Sequence, residues 1–285
     1  MLVDVMLDTL KDTAKLLPFL FLTYLVMEYL EHKTGEKSAR MMGKAGRFGP
    51  LFGAAAGVVP QCGFSAAASS LFSGGVITVG TLLAIFLSTS DELLPIFLSE
   101  AVRIPTILKI LLTKAAIGAV TGLLIDFLFR SLKAGRGKEK DIHDLCTHEH
   151  CHCEDGILKS ALNHTLRIAV FIFLVSFGIG LMIESAGEAA ISGFLSNQPV
   201  LGVFLAGVIG LIPNCASSVV ITELYLQGLL GAGQMMSGLL VGAGVGILVL
   251  FRTNQNLREN LKITGILYGA GVLWGLLIEV TGVVF

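Results

Sequence analysis

Two short polar stretches, each containing a cysteine, interrupt otherwise apolar parts of this 285-residue chain. The first reads P-Q-C-G-F-S at Pro60 to Ser65, and the second reads P-N-C-A-S-S at Pro213 to Ser218. Thiolates are soft ligands that suit thiophilic and transition metals, and the neighbouring amides add further polar groups. The two stretches therefore predict one substrate site formed by residues of both: Gln61, Cys62, Ser65, Asn214, Cys215 and Ser218.

A simpler interpretation stays open for parts of this set. A buried free cysteine often behaves as a small hydrophobe, and serines within apolar helices often allow close packing. Packing is the better interpretation for any single serine. It does not explain why Gln61 and Asn214, two amides, occupy matching positions beside a proline.

Acidic residues within apolar segments form a second group of candidates. Asp91 and Glu92 end the run F-L-S-T-S-D-E, and Glu223 lies in the second interrupted apolar element, at the position that matches Ser70 in the first. Acids inside a membrane are costly and are functional by default, so Asp91 is predicted to be a metal ligand or proton carrier; a helix cap near the outer surface is the alternative. Two hydroxyl residues beside Asp91 join the predicted substrate site: Ser88 and Ser90. Lys114 lies in a later apolar run, where it could pair with an acid or extend to the interface.

A third group occupies a hydrophilic linker. Four of the six histidines and three of the five cysteines fall within eleven residues: His143, Cys146, His148, His150, Cys151, His152 and Cys153. Their spacing differs from that of a folded zinc module, which pairs two separated couples of ligands. The tract predicts a flexible chelating loop, with a merely solvated linker as the alternative.

The remaining composition predicts a helical membrane protein. The chain is 54% hydrophobic and only 14% charged, whereas soluble domains carry about 25% charge. Several apolar runs approach the roughly 20 residues that a helix needs to cross a bilayer. The net charge of -1 and the scattered basic residues exclude a nucleic-acid-binding protein. Continuous helices are expected from Val76 to Leu98 and from Leu229 to Phe251.

An internal duplication organises the chain. A shift of 153 positions superimposes the two polar stretches without a gap, and Leu108-Lys109-Ile110 also falls on Leu261-Lys262-Ile263. The predicted units are a first membrane repeat at 1–130, a cytoplasmic His/Cys-rich linker at 131–157 and a second repeat at 158–285.

Loop charge predicts that the repeats have opposite orientations. Five basic residues follow the first helix of repeat one, whereas the corresponding loop of repeat two, from Glu184 to Pro199, has none. Each repeat is then expected to hold three spanning helices and one broken re-entrant hairpin, about ten hydrophobic helices in all. The expected location is a bacterial-type inner (plasma) membrane. Both termini are expected outside and the linker in the cytoplasm.

Three motifs resemble the ten-transmembrane heavy-metal exporter family, whose members are often labelled arsenic efflux proteins or manganese transporters. The motifs are P-Q-C-G-F-S-A-A-A-S from Pro60, F-L-S-T-S-D-E from Phe86 and I-P-N-C-A-S-S-V-V-I-T from Ile212. The likeness covers essentially the whole chain. It implies transport of a metal or metalloid ion and marks the matching motif positions as site residues.

The expected function is secondary active export of such an ion by alternating access, coupled to protons. The lipid bilayer, protons and the ion are the expected partners, an oligomer is left open, and no cofactor is required. The chain lacks the glycine-rich phosphate loop of a nucleotide-driven pump. A carrier of a small anion or oxyanion is the alternative, followed by a membrane metal sensor. An enzyme is not expected, because the apolar runs offer no histidine to activate a cysteine.

Overall fold

The computed structural model describes residues 48–58, 62–90, 93–132, 199–213, 215–283 and 285, with isolated residues and short runs within 5–25 and 158–181. Within this part of the chain every regular element is an α-helix, which confirms the predicted all-helical class. Gln61, Asp91, Glu92, Asn214 and the His/Cys-rich linker lie outside the described residues. The predictions made for them stay predictions.

Helix boundaries repeat at the offset seen in the sequence. The described part of the first half forms α1 (Gly49–Gly57), α2 (Cys62–Ser73), α3 (Val79–Ser88), α4 (Leu93–Ser99) and α5 (Ile104–Leu132). The described part of the second half forms α6 (Pro199–Gly210), α7 (Cys215–Leu226), α8 (Ala232–Val241), α9 (Val245–Thr253) and α10 (Leu257–Thr281). Both ends of α7 and of α8 match those of α2 and α3 after the shift, so the two halves share one local plan.

The turn after α2 is reproduced after α7. Gly75 and Gly228 each have a φ of 73°, a left-handed conformation that favours glycine. The next residue, Val76 or Leu229, donates its N–H to the carbonyl five positions back at 2.9 Å in both halves. This pattern closes a helix by satisfying its last carbonyls. Two matching glycines therefore stop the two helices in the same way.

The prediction of a continuous helix from Val76 to Leu98 is wrong. The helix ends at Ser88, Thr89 and Ser90 are not helical, and a separate helix is described from Leu93 to Ser99. Thr89 has already left the helical conformation, with φ −55° and ψ 132°, and its hydroxyl donates to the carbonyl of Ile85 at 2.7 Å. Hydroxyl side chains that bond to nearby backbone compete with the helical ladder, which favours an interruption in this S-T-S run.

The prediction of a continuous helix from Leu229 to Phe251 is wrong for a different reason. Here α8 ends at Val241, and α9 begins after a glycine-rich break. Gly244 has φ 50° and ψ −135°, which a residue with a side chain rarely adopts. The N–H of Ala243 donates to the carbonyl of Val241 at 2.8 Å, only two residues back. The helix of the second half is therefore interrupted at a glycine with an unusual backbone conformation, whereas that of the first half is interrupted where hydroxyl groups bond to the backbone.

Matching glycines bring three helices together within each half. A Cβ on Gly122 of α5 would lie 2.5 Å from the carbonyl oxygen of Gly80 on α3 and 2.9 Å from the side chain of Pro50 on α1. A Cβ on Gly275 of α10 would likewise lie 2.8 Å from the carbonyl oxygen of Gly233 on α8. Each half therefore contains a compact group, α1–α3–α5 or α6–α8–α10.

Contacts between the halves are reciprocal. Helix α2 packs on α9, its counterpart α7 packs on α4, and the counterparts α3 and α8 pack on each other. Such an exchange of equivalent contacts is what a two-fold relation produces. The short helices of one half therefore pack against the short helices of the other half.

Three stretches in the described residues are long and apolar enough to cross a membrane: Ile104–Phe129, Ala232–Thr253 and Leu257–Thr281. The second, which includes the α8–α9 break, is 89% buried, whereas the third is 33% buried. Large apolar side chains remain exposed on α5 and α10, including Phe127 and Val280. Apolar surface on this scale indicates a membrane or another apolar partner, with the broken helices enclosed at the centre.

Candidate functional site

The two predicted hairpin tips coincide with helix ends. Helix α1 ends at Gly57 and α2 begins at Cys62, while α6 ends at Gly210 and α7 begins at Cys215. An interruption of the helix was therefore predicted correctly at both polar stretches. The structure describes the backbone of Cys62 and Cys215 but not their side chains, so their role as metal ligands stays a prediction.

Ser65 and Ser218, predicted from opposite halves, both lie beside the α8–α9 break. Ser65 is fully buried, and a Cβ on Gly246 would lie 2.8 Å from its Cβ. Ser218 is half-buried, and its Oγ would lie 3.3 Å from a Cβ on Gly242. The fold thus brings these two predicted residues to the two ends of one short segment, 242–246.

The contact between α2 and α9 is lined with hydroxyl groups. The Oγ of Ser69 donates to the carbonyl of Gly246 at 2.7 Å, and the hydroxyls of Ser73 and Thr253 are 2.7 Å apart. A sequence signal for this face exists, because Ser65, Ser69 and Ser73 recur every four residues and lie on one side of α2. The signal did not show which helix the face would meet.

Ser88 and Ser90 are buried, but both hydroxyls bond to nearby backbone. The Oγ of Ser88 donates to the carbonyl of Ala84 at 2.8 Å, and that of Ser90 donates to the carbonyl of Ser88 at 3.0 Å. A Cβ on Gly57 would lie only 2.0 Å from the Oγ of Ser88, so α1 and α3 approach closely there. This geometry favours packing and helix termination for Ser88 over direct contact with a substrate.

Lys114 is enclosed at the boundary between the halves. Its side chain is 1% exposed, so the alternative of extension to the interface is wrong. Its Nζ donates to the carbonyl of Thr89 in the α3–α4 break and to the carbonyl of Leu239 on α8 at 2.9 Å. The Nζ of Lys114 therefore lies beside both breaks.

Two acids that the sequence analysis did not select hold the start of α3 and α8. The carboxylate of Asp126 accepts from the N–H of Gly80 at 2.9 Å and from the hydroxyl of Thr78 at 2.6 Å. The carboxylate of Glu279 accepts from the N–H of Gly233 at 3.0 Å. Acidic groups are favoured at helix N-termini, and the repeat offset could have identified this matched pair.

The remaining predicted ligands are not brought together by the described structure. Glu223 is half-buried on α7. Among the residues that the structure describes, no group of three or more His, Cys, Asp and Glu side chains could hold a metal ion. The proposed ligand Asp91 and the linker ligands belong to the undescribed part of the chain.

No protein-family model matches the chain, and comparison with curated proteins and with solved structures finds no significant similarity.

Proposed function

We propose that this chain is an integral membrane secondary transporter that exports a metal or metalloid ion by alternating access. The observation that carries the proposal is the reciprocal packing of broken helices, α2 on α9 and α7 on α4. Discontinuous helices at the interface of two repeats are typical of substrate sites in secondary transporters. A bundle that needed no moving site would gain nothing from interrupting its most buried helices.

The lengths of the arms support re-entrant hairpins. Helix α1 has 9 residues, and α2, α6 and α7 have 12 each. At 1.5 Å per residue these arms reach about 14 to 18 Å, roughly half of a hydrocarbon core of about 30 Å. Together with the basic loops of the first half, this supports two repeats of opposite orientation, with the linker in the cytoplasm and both termini outside.

The substrate is proposed to bind between the two tips and the α8–α9 break. The matched tips supply Gln61, Cys62, Asn214 and Cys215, and the break brings Ser65 and Ser218 to the same region. Thiolate ligands favour soft metals and arsenite-like metalloids over hard cations. Asp91, two residues beyond the Thr89 carbonyl that Lys114 contacts, is proposed as the proton-coupling acid.

Flux measurements in proteoliposomes test this proposal. The ions are Mn(II), Fe(II), Zn(II), Cu(I), arsenite and a simple oxyanion, and the proteins are wild type, Cys62→Ser, Cys215→Ser and Asp91→Asn. We expect flux of one soft ion, a loss of about tenfold or more in each cysteine variant, and little response of the Asp91 variant to a pH gradient. A variant with Cys146, Cys151 and Cys153 changed to Ser is the matched control and should retain membrane flux.

Three outcomes would contradict parts of the proposal. Flux no higher than in empty liposomes for every ion would exclude transport of these substrates. Normal flux in both tip variants would exclude the cysteines as ligands. A wild-type flux that is unchanged when the pH gradient is collapsed would exclude proton coupling.

A second candidate, transport of a small anion or oxyanion, is favoured by Lys114. Its ammonium group is buried beside both breaks, where a positive charge would attract an anion. The simple oxyanion in the flux panel separates the two candidates. Flux of the oxyanion alone, insensitive to both cysteine substitutions, would favour this second function.

A further inference from the structure

The position of Lys114 within α5 is unusual for a lysine. The residue lies in the candidate span Ile104–Phe129, and its side chain is among the largest of those less than 2% exposed. Lysines are rarely buried completely unless their charge is compensated. Lys109, five residues earlier on the same helix, is exposed. The two lysines of α5 therefore differ: one is on the surface and the other is buried.

The two described acceptors of the Lys114 ammonium come from different halves. Thr89 directly follows the end of α3, and Leu239 lies in the last turn of α8. In an uninterrupted α8, the carbonyl of Leu239 would accept from the N–H of Ala243, but that N–H donates to Val241 instead. The helix break therefore frees a carbonyl, and Lys114 uses it.

Both acceptors lie where a helix ends: Leu239 is in the last turn of α8, and Thr89 directly follows α3. The last carbonyls of a helix concentrate the negative pole of its dipole, so a cation there is stabilised. Here the C-terminal ends of α3 and α8 lie beside the same ammonium group. Freed carbonyls and C-terminal helix ends also form the sites where secondary transporters bind small monovalent cations.

The second half has no equivalent cation. The position that matches Lys114 is Leu267, which is fully buried on α10. The duplicated plan thus differs at this point, and one lysine serves a contact that joins both halves. Simple retention of a feature from the duplication does not explain it.

We propose that the C-terminal ends of α3 and α8 form a monovalent-cation site, and that the ammonium group of Lys114 is its tethered occupant. The group acts as a positioning residue that fixes the two breaks to each other. When the side chain is shortened, a free alkylammonium ion will bind in its place. The inference concerns the folded protein alone and does not depend on which ion is transported.

Thermal unfolding of the purified full-length protein tests the charge requirement. Lys114→Met keeps most of the apolar volume and removes the charge, which leaves two buried carbonyls without this donor. We expect its Tm to fall by roughly 4 to 8 °C. Lys109→Met removes an exposed lysine from the same helix and should stay within about 1 °C of wild type.

Chemical rescue tests the site itself. Lys114→Ala lacks a fragment equivalent to n-propylammonium, so millimolar n-propylammonium chloride should raise the Tm of this variant progressively with concentration. Propan-1-ol controls for a neutral donor, choline chloride for ionic strength, and wild type for general effects; none should show the shift.

Each outcome decides the inference. A Lys114→Met protein with the Tm of wild type would overturn it, as would equal effects of n-propylammonium and propan-1-ol on Lys114→Ala. If Lys114→Ala cannot be purified folded, the comparison of Lys114→Met with Lys109→Met decides alone. Equal Tm values in that pair reject the site, and a selective fall in the Lys114 variant supports it.

Discussion

The indole Nε1 of Trp274 donates a hydrogen bond to the hydroxyl of Thr121 at 3.0 Å, and the two residues are 153 positions apart. They therefore occupy equivalent places on α5 and α10. A direct contact between equivalent positions occurs where a two-fold axis passes between two copies. A two-fold relation between the halves would account for this bond, which joins two helices that both expose large apolar side chains.

The bond should be measurable as a coupling between the halves. Trp274→Phe and Thr121→Val each remove one partner and should each cost about 1 kcal/mol of unfolding free energy. The double variant should cost little more than either single change, which gives a coupling of about 0.5 to 1.5 kcal/mol. Equilibrium unfolding in mixed micelles checks this. Strictly additive effects would mean that the two residues do not interact in solution.

The acid of each half should stabilise the helix that it caps. Asp126→Ala removes the acceptor of both Gly80 N–H and the Thr78 hydroxyl, so we expect a loss of about 1 to 3 kcal/mol. Asp126→Asn keeps an acceptor oxygen and should lose less. Glu279→Ala should repeat the effect in the second half, whereas Glu100→Ala removes an exposed acid and should be nearly neutral. The same unfolding assay ranks the four proteins; similar losses for Asp126→Ala and Glu100→Ala would contradict the capping role.

A methyl group at Gly122 should force α5 away from its neighbours. The new Cβ would lie 2.5 Å from the carbonyl oxygen of Gly80 and 2.8 Å from the Cβ of Ala84, neither of which can rotate away. We expect Gly122→Ala to cost about 3 kcal/mol or more. Gly265→Ala, on α10 with nothing within 4 Å, should be neutral or stabilising by up to about 1 kcal/mol. A tolerated Gly122→Ala would show that α3 and α5 are less close than described.

Substitutions at the α8–α9 break should separate its packing from its function. A Cβ on Gly246 would lie 2.8 Å from the Cβ of Ser65 and 2.9 Å from the ring of Phe86, so Gly246→Ala should displace α2. Gly242→Ala meets its nearest atoms only at 3.2 and 3.3 Å and is the milder control. If the break borders the substrate, Gly246→Ala should lower flux per folded protein at least about fivefold, with a stability loss of about 1 to 3 kcal/mol. A loss of stability with unchanged flux would assign this contact to packing alone.

Much of the architecture was readable from the amino-acid sequence. The 153-residue offset predicted which helices would match, and proline with amide residues predicted the breaks before Cys62 and Cys215. These features are local or periodic. Helix-breaking proline and matched glycines act on the backbone of their own segment, whatever that segment later packs against.

The other two breaks were missed because composition hides them. The segment around Gly244 is wholly apolar and reads as part of a span, although its backbone leaves the helix through a conformation that only glycine tolerates readily. In the first half, the sequence predicts Ser88 and Ser90 as substrate-site residues, whereas both hydroxyls donate to nearby backbone carbonyls. A hydroxyl in a sequence shows what it can donate, not which acceptor it will meet.

The sequence by itself determined a duplicated, apolar, helical chain with paired polar interruptions. Only the tertiary structure decided what those interruptions face, because its decisive contacts join residues far apart in the chain: Ser69 with Gly246, 177 positions away, and Lys114 with Leu239, 125 positions away. Periodicity shows which side of a helix is special, but burial and hydrogen bonding across the two halves select its partner. The sequence left open whether Lys114 pairs with an acid or extends to the interface. The structure shows that its side chain is enclosed and that its Nζ contacts the ends of two helices.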